Sequence, residues 1–233
     1  MQTLSAGRRV SQLPLFTPPE SPADVDVHAV SVPARSFTGD FYSTYRYGDR
    51  LWFALGDVAG KGINAAVVMA MIQEELEHRI ASCALTGCDP ASTMARLHEF
   101  LRPVLPRNKF ATAVIGHLND DGTLTIANAG HCAPLILRRD GTVQEIGSTG
   151  PVTGILPSAH WHSVNITLER GESVILYSDG LAEARNAAGD EFGTRGITRA
   201  ARGSSAREIA DRILDGARAY GREDDLTLVV LRR

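Results

Sequence analysis

The sequence has no apolar run long enough to cross a membrane. Its longest run, Ala65 to Ile72, is far shorter than the roughly 20 residues that a membrane-spanning helix needs. Near the N-terminus Arg8 and Arg9 are followed by prolines, where an export signal would have its apolar stretch. These absences predict a cytoplasmic protein with no membrane partner.

Cysteine is scarce, and basic residues form no block. Cys83, Cys88 and Cys132 make an odd number without CxxC spacing, which favours reduced thiols over a disulfide framework or a zinc site. The formal net charge is -3, and charges of both signs are interleaved along the chain. This distribution argues against a nucleic-acid partner.

Proline is concentrated at the N-terminus. Residues 1–22 contain Pro14, Pro18, Pro19 and Pro22 without apolar periodicity, which predicts an extended tail outside the core. The chain is 43% hydrophobic, and its length suits one domain with a sizeable core. We therefore expect a single domain over residues 23–233.

Short β-rich runs separated by turn signals follow the predicted tail. Gly48-Asp49, Asp121-Gly122 and Asp140-Gly141 each separate two such runs, as in antiparallel hairpins. About ten strands are expected, which is more than one open twisted sheet usually holds without splitting into two.

Three segments have helical periodicity. The first has one apolar stripe from about Ile63 to Ala84. The second begins with Asp89 as N-cap and Pro90 as first helical residue and ends near Pro103, and the third begins with a capping box from Ser205 to Glu208. Since each helix has a single apolar face, we predict an α+β fold. Two packed, mostly antiparallel β-sheets would be flanked by helices on both sides in an α-β-β-α sandwich.

Four aspartates stand at the ends of β-rich runs, beside glycine or a second acid. They are Asp40 in TGDFY, Asp57 in GDVAGKG, Asp179 in LYSDG and Asp224 in EDDLT. Any one alone is typical of a turn or a helix cap. Brought together they would repel one another, unless hard divalent cations such as Mg²⁺ or Mn²⁺ neutralised them. The prediction of a metal site therefore depends on the whole set.

The GDVAGKG segment has a superficial likeness to a nucleotide-binding loop. Its spacing, with glycines at positions 56, 60 and 62 around Lys61, does not match GxxxxGK[ST], which argues against nucleotide binding. Alternatively, the glycines allow a tight turn, so that Asp57 offers its carboxylate and Val58 its carbonyl oxygen to one metal.

Five motifs follow one another along the chain: ARSFTGDFY, GDVAGKG, NAGHCAPLIL, LYSDGLAEARN with EFG after it, and DDLTLVVL. Together they resemble the metal-dependent protein phosphatases related to protein phosphatase 2C, and most closely the bacterial stage II sporulation protein E-type subgroup. The resemblance covers about residues 24–233. It implies two packed β-sheets flanked by helices, with two Mg²⁺ or Mn²⁺ ions per site. It further implies a serine/threonine protein phosphatase that uses a metal-activated water on a bacterial regulatory protein, such as an anti-sigma-factor antagonist.

The same resemblance implies roles for single residues. Asp40 and Asp57 would be metal ligands, with Asp57 bridging both cations and Val58 contributing its carbonyl oxygen. Asp179 and Asp224 would complete the coordination of the other metal.

Other roles depend on position within the motifs. Asp225 would support the site from behind Asp224, because adjacent side chains of an extended chain face opposite sides. Arg35, five residues before Asp40, would grip the substrate phosphate and join Asp40 and Asp57 as catalytic residues, although a solvated surface arginine is the alternative. His131 is expected to be structural, with a general acid as the alternative. Lys61 and Glu183 are likewise expected to be scaffold around the site.

Three other functional hypotheses stay open. Ser43 stands where the subgroup often has a second aspartate, which favours a catalytically silent binding module of the same fold. A metal-dependent hydrolase of small phosphoesters is another alternative. The third is a thiol mechanism, because the segment from His131 to Arg138 fits the HCxxxxxR spacing. It is disfavoured because the intervening residues are typical of a strand and Pro134 lacks an N–H.

Overall fold

The computed structural model describes residues 25–34, 37–86, 89–221 and 224–233. The predicted tail at residues 1–22, the start of the predicted domain at residues 23 and 24, and Arg35 lie outside the described residues. Within the described ranges, no helix combines the length and the apolar character that a membrane span requires.

Ten strands form two antiparallel sheets of five strands each in the described part of the chain. From edge to edge, the first sheet contains β1 (Asp26–Val32), β10 (Leu226–Arg232), β9 (Ser173–Tyr177), β6 (Leu135–Leu137) and β7 (Val143–Glu145). The second sheet contains β2 (Asp40–Tyr47), β3 (Arg50–Val58), β4 (Ala111–Asn119), β5 (Thr123–Ala129) and β8 (Val164–Thr167). The predicted hairpins and the predicted number of strands are confirmed.

Three of the helices were predicted, and two were not. The described part of the chain contains α1 (Ile63–Thr86), α2 (Pro90–Val104), α3 (Asp179–Ala182), α4 (Gly193–Ala200) and α5 (Ala206–Tyr220). The side chain of Asp89 accepts a hydrogen bond from the backbone N–H of Ser92 at 2.7 Å, as expected of an N-cap. α2 continues through Pro103, because a proline in the last turn removes only one backbone hydrogen bond. α3 and α4 are too short for their periodicity to be seen in the sequence.

The helices cover the outer faces of the two sheets. β3 illustrates the layering, since Trp52 packs with α1 and α2 while its neighbour Phe53 packs between the sheets. On the other side, Ile209 and Ile213 of α5 pack against the first sheet. The central layer is formed by apolar side chains of both sheets. The predicted α-β-β-α sandwich is therefore confirmed.

The prediction of three reduced thiols is wrong for Cys83, which is disulfide-bonded. Cys132 is a free cysteine, and Cys88 lies outside the described residues. Disulfide formation depends on the distance and direction of two side chains in space, which sequence spacing does not give.

Candidate active site

The strand register brings the predicted acidic residues to one end of the sandwich. β2 and β3 are antiparallel, so the start of β2 lies beside the end of β3, and Asp40 pairs directly with Asp57. In the other sheet, Asp179 follows the end of β9, and Asp224 precedes the start of the neighbouring β10. Four positions that are far apart in the sequence therefore meet at one edge.

A pocket of about 180 Å³ lies at this edge. Its described lining residues are Phe37, Gly39, Asp40, Asp57, Gly60, Lys61, Asp179, Asp224 and Asp225. Aspartate side chains thus outnumber positively charged side chains among these residues. Among the described residues, no three His, Cys, Asp or Glu side chains already have the arrangement of a complete metal site. We call this the acidic pocket.

Asp40 and Asp57 face each other across neighbouring strands, where like charges are destabilising. Burial raises the pKa of Asp40 well above its ordinary value, and the charge of Asp57 adds to this rise. Burial also raises the pKa of Asp57 to about 7, with further contributions from Asp179 and Asp224. A positive charge bound beside these two carboxylates would stabilise their ionised forms.

Glycine at position 39 makes room for the oxygen atoms of this site. A Cβ atom at Gly39 would lie 2.6 Å from Asp57 Oδ1 and 2.9 Å from the carbonyl oxygen of Val58. These two oxygens therefore lie on the same side of the end of β3, beside the start of β2. Their placement agrees with the predicted pairing of the Asp57 carboxylate with the Val58 carbonyl.

Several contacts that were not predicted hold the acidic residues in place. The hydroxyl of Thr227, on β10, donates to Asp40 Oδ2 at 2.5 Å and joins the two sheets at the site. Asp225 Oδ1 accepts from the backbone N–H of Ala34 at 2.6 Å, and the hydroxyl of Ser178 donates to the carbonyl oxygen of Asp225. Asp225 thus has the supporting contacts expected of it, although it also lines the acidic pocket.

Lys61 lies at the rim of the acidic pocket. Its Nζ atom is 2.9 Å from Asp224 Oδ2 in an ion pair whose two side chains are about half exposed. Such a pair contributes little to stability, so Asp224 remains available to another cation. Glu183 lines an adjoining pocket together with Asp179.

Ser43 does not belong to the acidic pocket as the described residues define it. Asp40 and Ser43 are three residues apart on β2, and an odd separation places two side chains on opposite faces of a strand. Ser43 pairs with Ala54, which packs on the side of α1 and α2. The one feature that favoured a silent module therefore points away from the candidate site.

His131 has the surroundings of a structural residue. Its Nδ1 atom is 2.8 Å from the Thr112 hydroxyl, and Thr112 pairs with Asp57 across β3 and β4. The backbone N–H of His131 donates to Asn128 Oδ1 at 2.8 Å. Burial lowers the pKa of His131 to about 4, so the ring is neutral at pH 7 and has no extra proton to give. These contacts favour the structural role over the general acid.

The structure also argues against the thiol mechanism. Burial raises the pKa of Cys132 to about 12, whereas a reactive cysteine needs a lowered pKa. Arg138 forms an ion pair with Glu172 at 2.8 Å, and residues 135–137 form β6, as the sequence predicted. No curled phosphate loop exists between Cys132 and Arg138.

The residues present fit a site for divalent cations. Carboxylate and carbonyl oxygens are the ligands that Mg²⁺ and Mn²⁺ prefer. The buried pair of Asp40 and Asp57 supplies two such groups, with the Val58 carbonyl beside them. Asp179 and Asp224 offer further carboxylates across the same pocket. The donor set is therefore suited to hard cations rather than to zinc or iron.

The raised pKa of Asp57 predicts how stability depends on pH when chelator removes divalent ions. Because the folded-state pKa of about 7 lies above the ordinary 3.8, the folded protein binds this proton more tightly than the unfolded chain. The free energy of unfolding should therefore fall as pH rises between these two values, by no more than about 4 kcal/mol from Asp57. Above pH 7 the contribution should stay level.

Guanidinium unfolding in EDTA, over about pH 4 to 8, measures this effect. Asp57→Asn should lose less stability than wild type across that range, because its side chain has no proton to release. If the free energy of unfolding of the two proteins changed with pH in the same way, the pKa of Asp57 would not be raised in the folded protein.

Solved structures of other proteins have the same fold. A structure of the PP2C phosphatase domain and a fragment of the regulatory domain of SpoIIE from Bacillus subtilis superposes with a TM-score of 0.77 at 22% identity, over 90% of this chain and 63% of that chain. RsbX in complex with magnesium superposes with a TM-score of 0.71 at 20% identity, over 91% of this chain and 96% of that chain. The architecture is thus that of PP2C phosphatase domains.

Sequence comparison gives the family. Residues 47–233 match the family model described as Stage II sporulation protein E (SpoIIE). The phosphoserine phosphatase RsbU of Bacillus subtilis is 30% identical over 90% of this chain, and the match covers 63% of RsbU. The chain belongs to the SpoIIE family, which confirms the predicted resemblance. It spans less than two thirds of the length of RsbU.

Proposed function

We propose that the chain is a cytoplasmic, metal-dependent serine/threonine protein phosphatase. The observation that carries this proposal is the direct pairing of Asp40 with Asp57 at the edge of the acidic pocket. Membership in the SpoIIE family and the similarity to RsbU, a phosphoserine phosphatase, support the same activity.

The proposed ligands of two Mg²⁺ or Mn²⁺ ions are Asp40, Asp57, the Val58 carbonyl, Asp179 and Asp224. Asp57 would bridge the two ions, and the magnesium complex of RsbX supports this class of cation. Divalent cations in such a site lower the pKa of water and neutralise charge on the phosphoryl oxygens.

The chain's own residues would position the reaction. Thr227 fixes the carboxylate of Asp40, and Asp225 holds the backbone at Ala34, the residue that precedes Arg35 in the sequence. Arg35 is proposed to bind the substrate phosphate as a bidentate donor, which its place in the motif supports. Electrostatic stabilisation and positioning would then supply most of the rate enhancement.

The proposed substrate is phosphoserine or phosphothreonine on a regulatory protein, such as an anti-sigma-factor antagonist. Similarity to RsbU, a phosphoserine phosphatase, supports phosphoserine as the group that is hydrolysed. Turnover of p-nitrophenyl phosphate, a phosphoserine peptide and a small phosphorylated metabolite with Mn²⁺ tests both points. Hydrolysis of the metabolite in preference to the peptide would favour the small-molecule hydrolase, and no hydrolysis of any substrate would favour the silent module.

The adjacent acids at the start of β10 should differ in importance. Asp224→Asn is expected to remove nearly all Mn²⁺-dependent turnover, because Asp224 is the proposed ligand. Asp225→Asn should keep a measurable fraction, since its Oδ1 atom already accepts from Ala34 and its role is to support the site. Mn²⁺ titrations of both variants measure the difference. The opposite ranking would assign the ligand to Asp225.

A further inference from the structure

A second, less polar pocket adjoins the acidic pocket. It has a volume of about 480 Å³ and lies between the first turns of α1 and the loop after α2. Val67, Val68 and Met71 of α1 form one wall, and Leu105 and Pro106 form part of the other. We call it the apolar groove. Val67 is 54% exposed there, so a large aliphatic side chain of α1 faces solvent in the groove.

The loop that forms one side of the groove is held in a defined conformation. The backbone N–H of Lys109 donates to the carbonyl oxygen of Pro106 at 3.0 Å, and Asn108 has a φ of 67°, in the left-handed region. The backbone N–H of Ala59 donates to the carbonyl oxygen of Phe110 at 2.9 Å, which ties this loop to the GDVAGKG segment. The groove is therefore a preformed feature of the fold.

The groove is continuous with the acidic pocket. Gly60 and Lys61 line both of them. A phosphoserine that enters the acidic pocket must leave its flanking residues on the neighbouring surface. An extended chain advances about 3.3 Å per residue, so the residues that flank the phosphoserine pass over the surface that Gly60 and Lys61 share between the two pockets.

The charge of the groove is opposite to that of the acidic pocket. Among the described residues that line it, Lys61 and Lys109 are basic and none is acidic. Lys109 lies over Gly60, where a Cβ atom would be 3.3 Å from its Nζ atom. An acidic side chain beside an apolar one would complement this surface, whereas the acidic pocket would repel it.

We propose that the apolar groove binds the segment of the substrate protein that flanks the phosphoserine, taking an apolar side chain next to an acidic one. This inference rests on the proposed phosphatase function and adds a determinant of specificity to it. The groove would bury the apolar side chain against α1, and Lys109 would face the acid, because Lys61 already forms an ion pair with Asp224.

Two synthetic phosphoserine peptides test the proposal. One has leucine and glutamate at several positions on both sides of the phosphoserine, and the other has alanine and glutamine at those positions. Wild type should prefer the first by roughly tenfold in kcat/KM, because burial of one leucine side chain supplies that much binding. Val67→Asp and Lys109→Glu should each lose most of this preference while p-nitrophenyl phosphate turnover stays unchanged.

Ile63→Asp is the matched control. Ile63 is also on α1 and is 61% exposed, but it is not among the residues that line the groove. This variant should keep the peptide preference of wild type. Equal loss of preference in Ile63→Asp and Val67→Asp would overturn the proposal, since any acid on α1 would then act alike.

Fluorescence polarisation of the two labelled peptides measures peptide binding independently of catalysis. Equal affinity of wild type for both peptides would overturn the proposal that the groove binds the substrate, whether or not the peptides are hydrolysed. Hydrolysis of none of the substrates, with the first peptide still bound more tightly, would contradict the phosphatase function and support the groove. A lower sedimentation mass of Val67→Asp with unchanged peptide preference would assign the surface to contact between two copies of the chain, which also overturns the proposal.

Discussion

Asp57→Asn is expected to lower Mn²⁺-dependent turnover of p-nitrophenyl phosphate by roughly a thousandfold or more. Asp57 lies opposite Asp40, and its pKa is raised to about 7 by burial and by the surrounding carboxylates. The amide has the same shape but no charge, so it removes the proposed bridging ligand without opening a cavity. Steady-state kinetics at saturating Mn²⁺ measure the effect.

The loss should come from the site rather than from unfolding. In EDTA at neutral pH the variant should be at least as stable as wild type, because an amide has no charge to bury. Asp49→Asn, in the exposed turn between β2 and β3, is the matched control and should keep full activity. Turnover of Asp57→Asn within a few fold of wild type would contradict the proposed centre.

Gly39→Ala is expected to reduce activity by roughly a hundredfold, although the substitution adds only one methyl group. The new Cβ atom would lie 2.6 Å from Asp57 Oδ1 and 2.9 Å from the Val58 carbonyl oxygen, and real Cβ atoms do not approach that closely. The two proposed ligand oxygens must therefore move. Isothermal titration with Mn²⁺ should show weaker binding together with the loss of turnover.

Gly147→Ala provides the comparison. A Cβ atom at Gly147 would meet nothing within 4 Å, so the same substitution there should leave both Mn²⁺ affinity and turnover unchanged. Neither glycine has a positive φ, so the two variants differ in steric contact and not in backbone strain. If Gly39→Ala kept wild-type Mn²⁺ affinity, Asp57 and Val58 would not be the ligands at this edge.

Local sequence signals predicted most of the fold. The hairpin turns, the single apolar face of α1 and the N-cap at Asp89 each act over a few residues, so each could be seen in the sequence. The short helices α3 and α4 gave no such signal. The disulfide at Cys83 was also missed, because it depends on distance in space.

The acidic residues of the site could be found from their positions at strand ends, but their partners could not. Thr227 donates to Asp40 only because β10 and β2 meet between the two sheets, and no sequence spacing reports that contact. The position of Ser43 likewise required the register of β2. The apolar groove joins residues of α1 to the loop after α2, so it too exists only in the folded chain.

We propose above all that the acidic pocket hydrolyses phosphoserine by means of divalent cations. Turnover of a phosphoserine peptide by wild type, first in EDTA and then in increasing Mn²⁺ or Mg²⁺, tests it most directly. No turnover is expected in EDTA, and a saturable recovery is expected when either cation is added in excess. Turnover that persists in EDTA, or that neither cation restores, would contradict the claim.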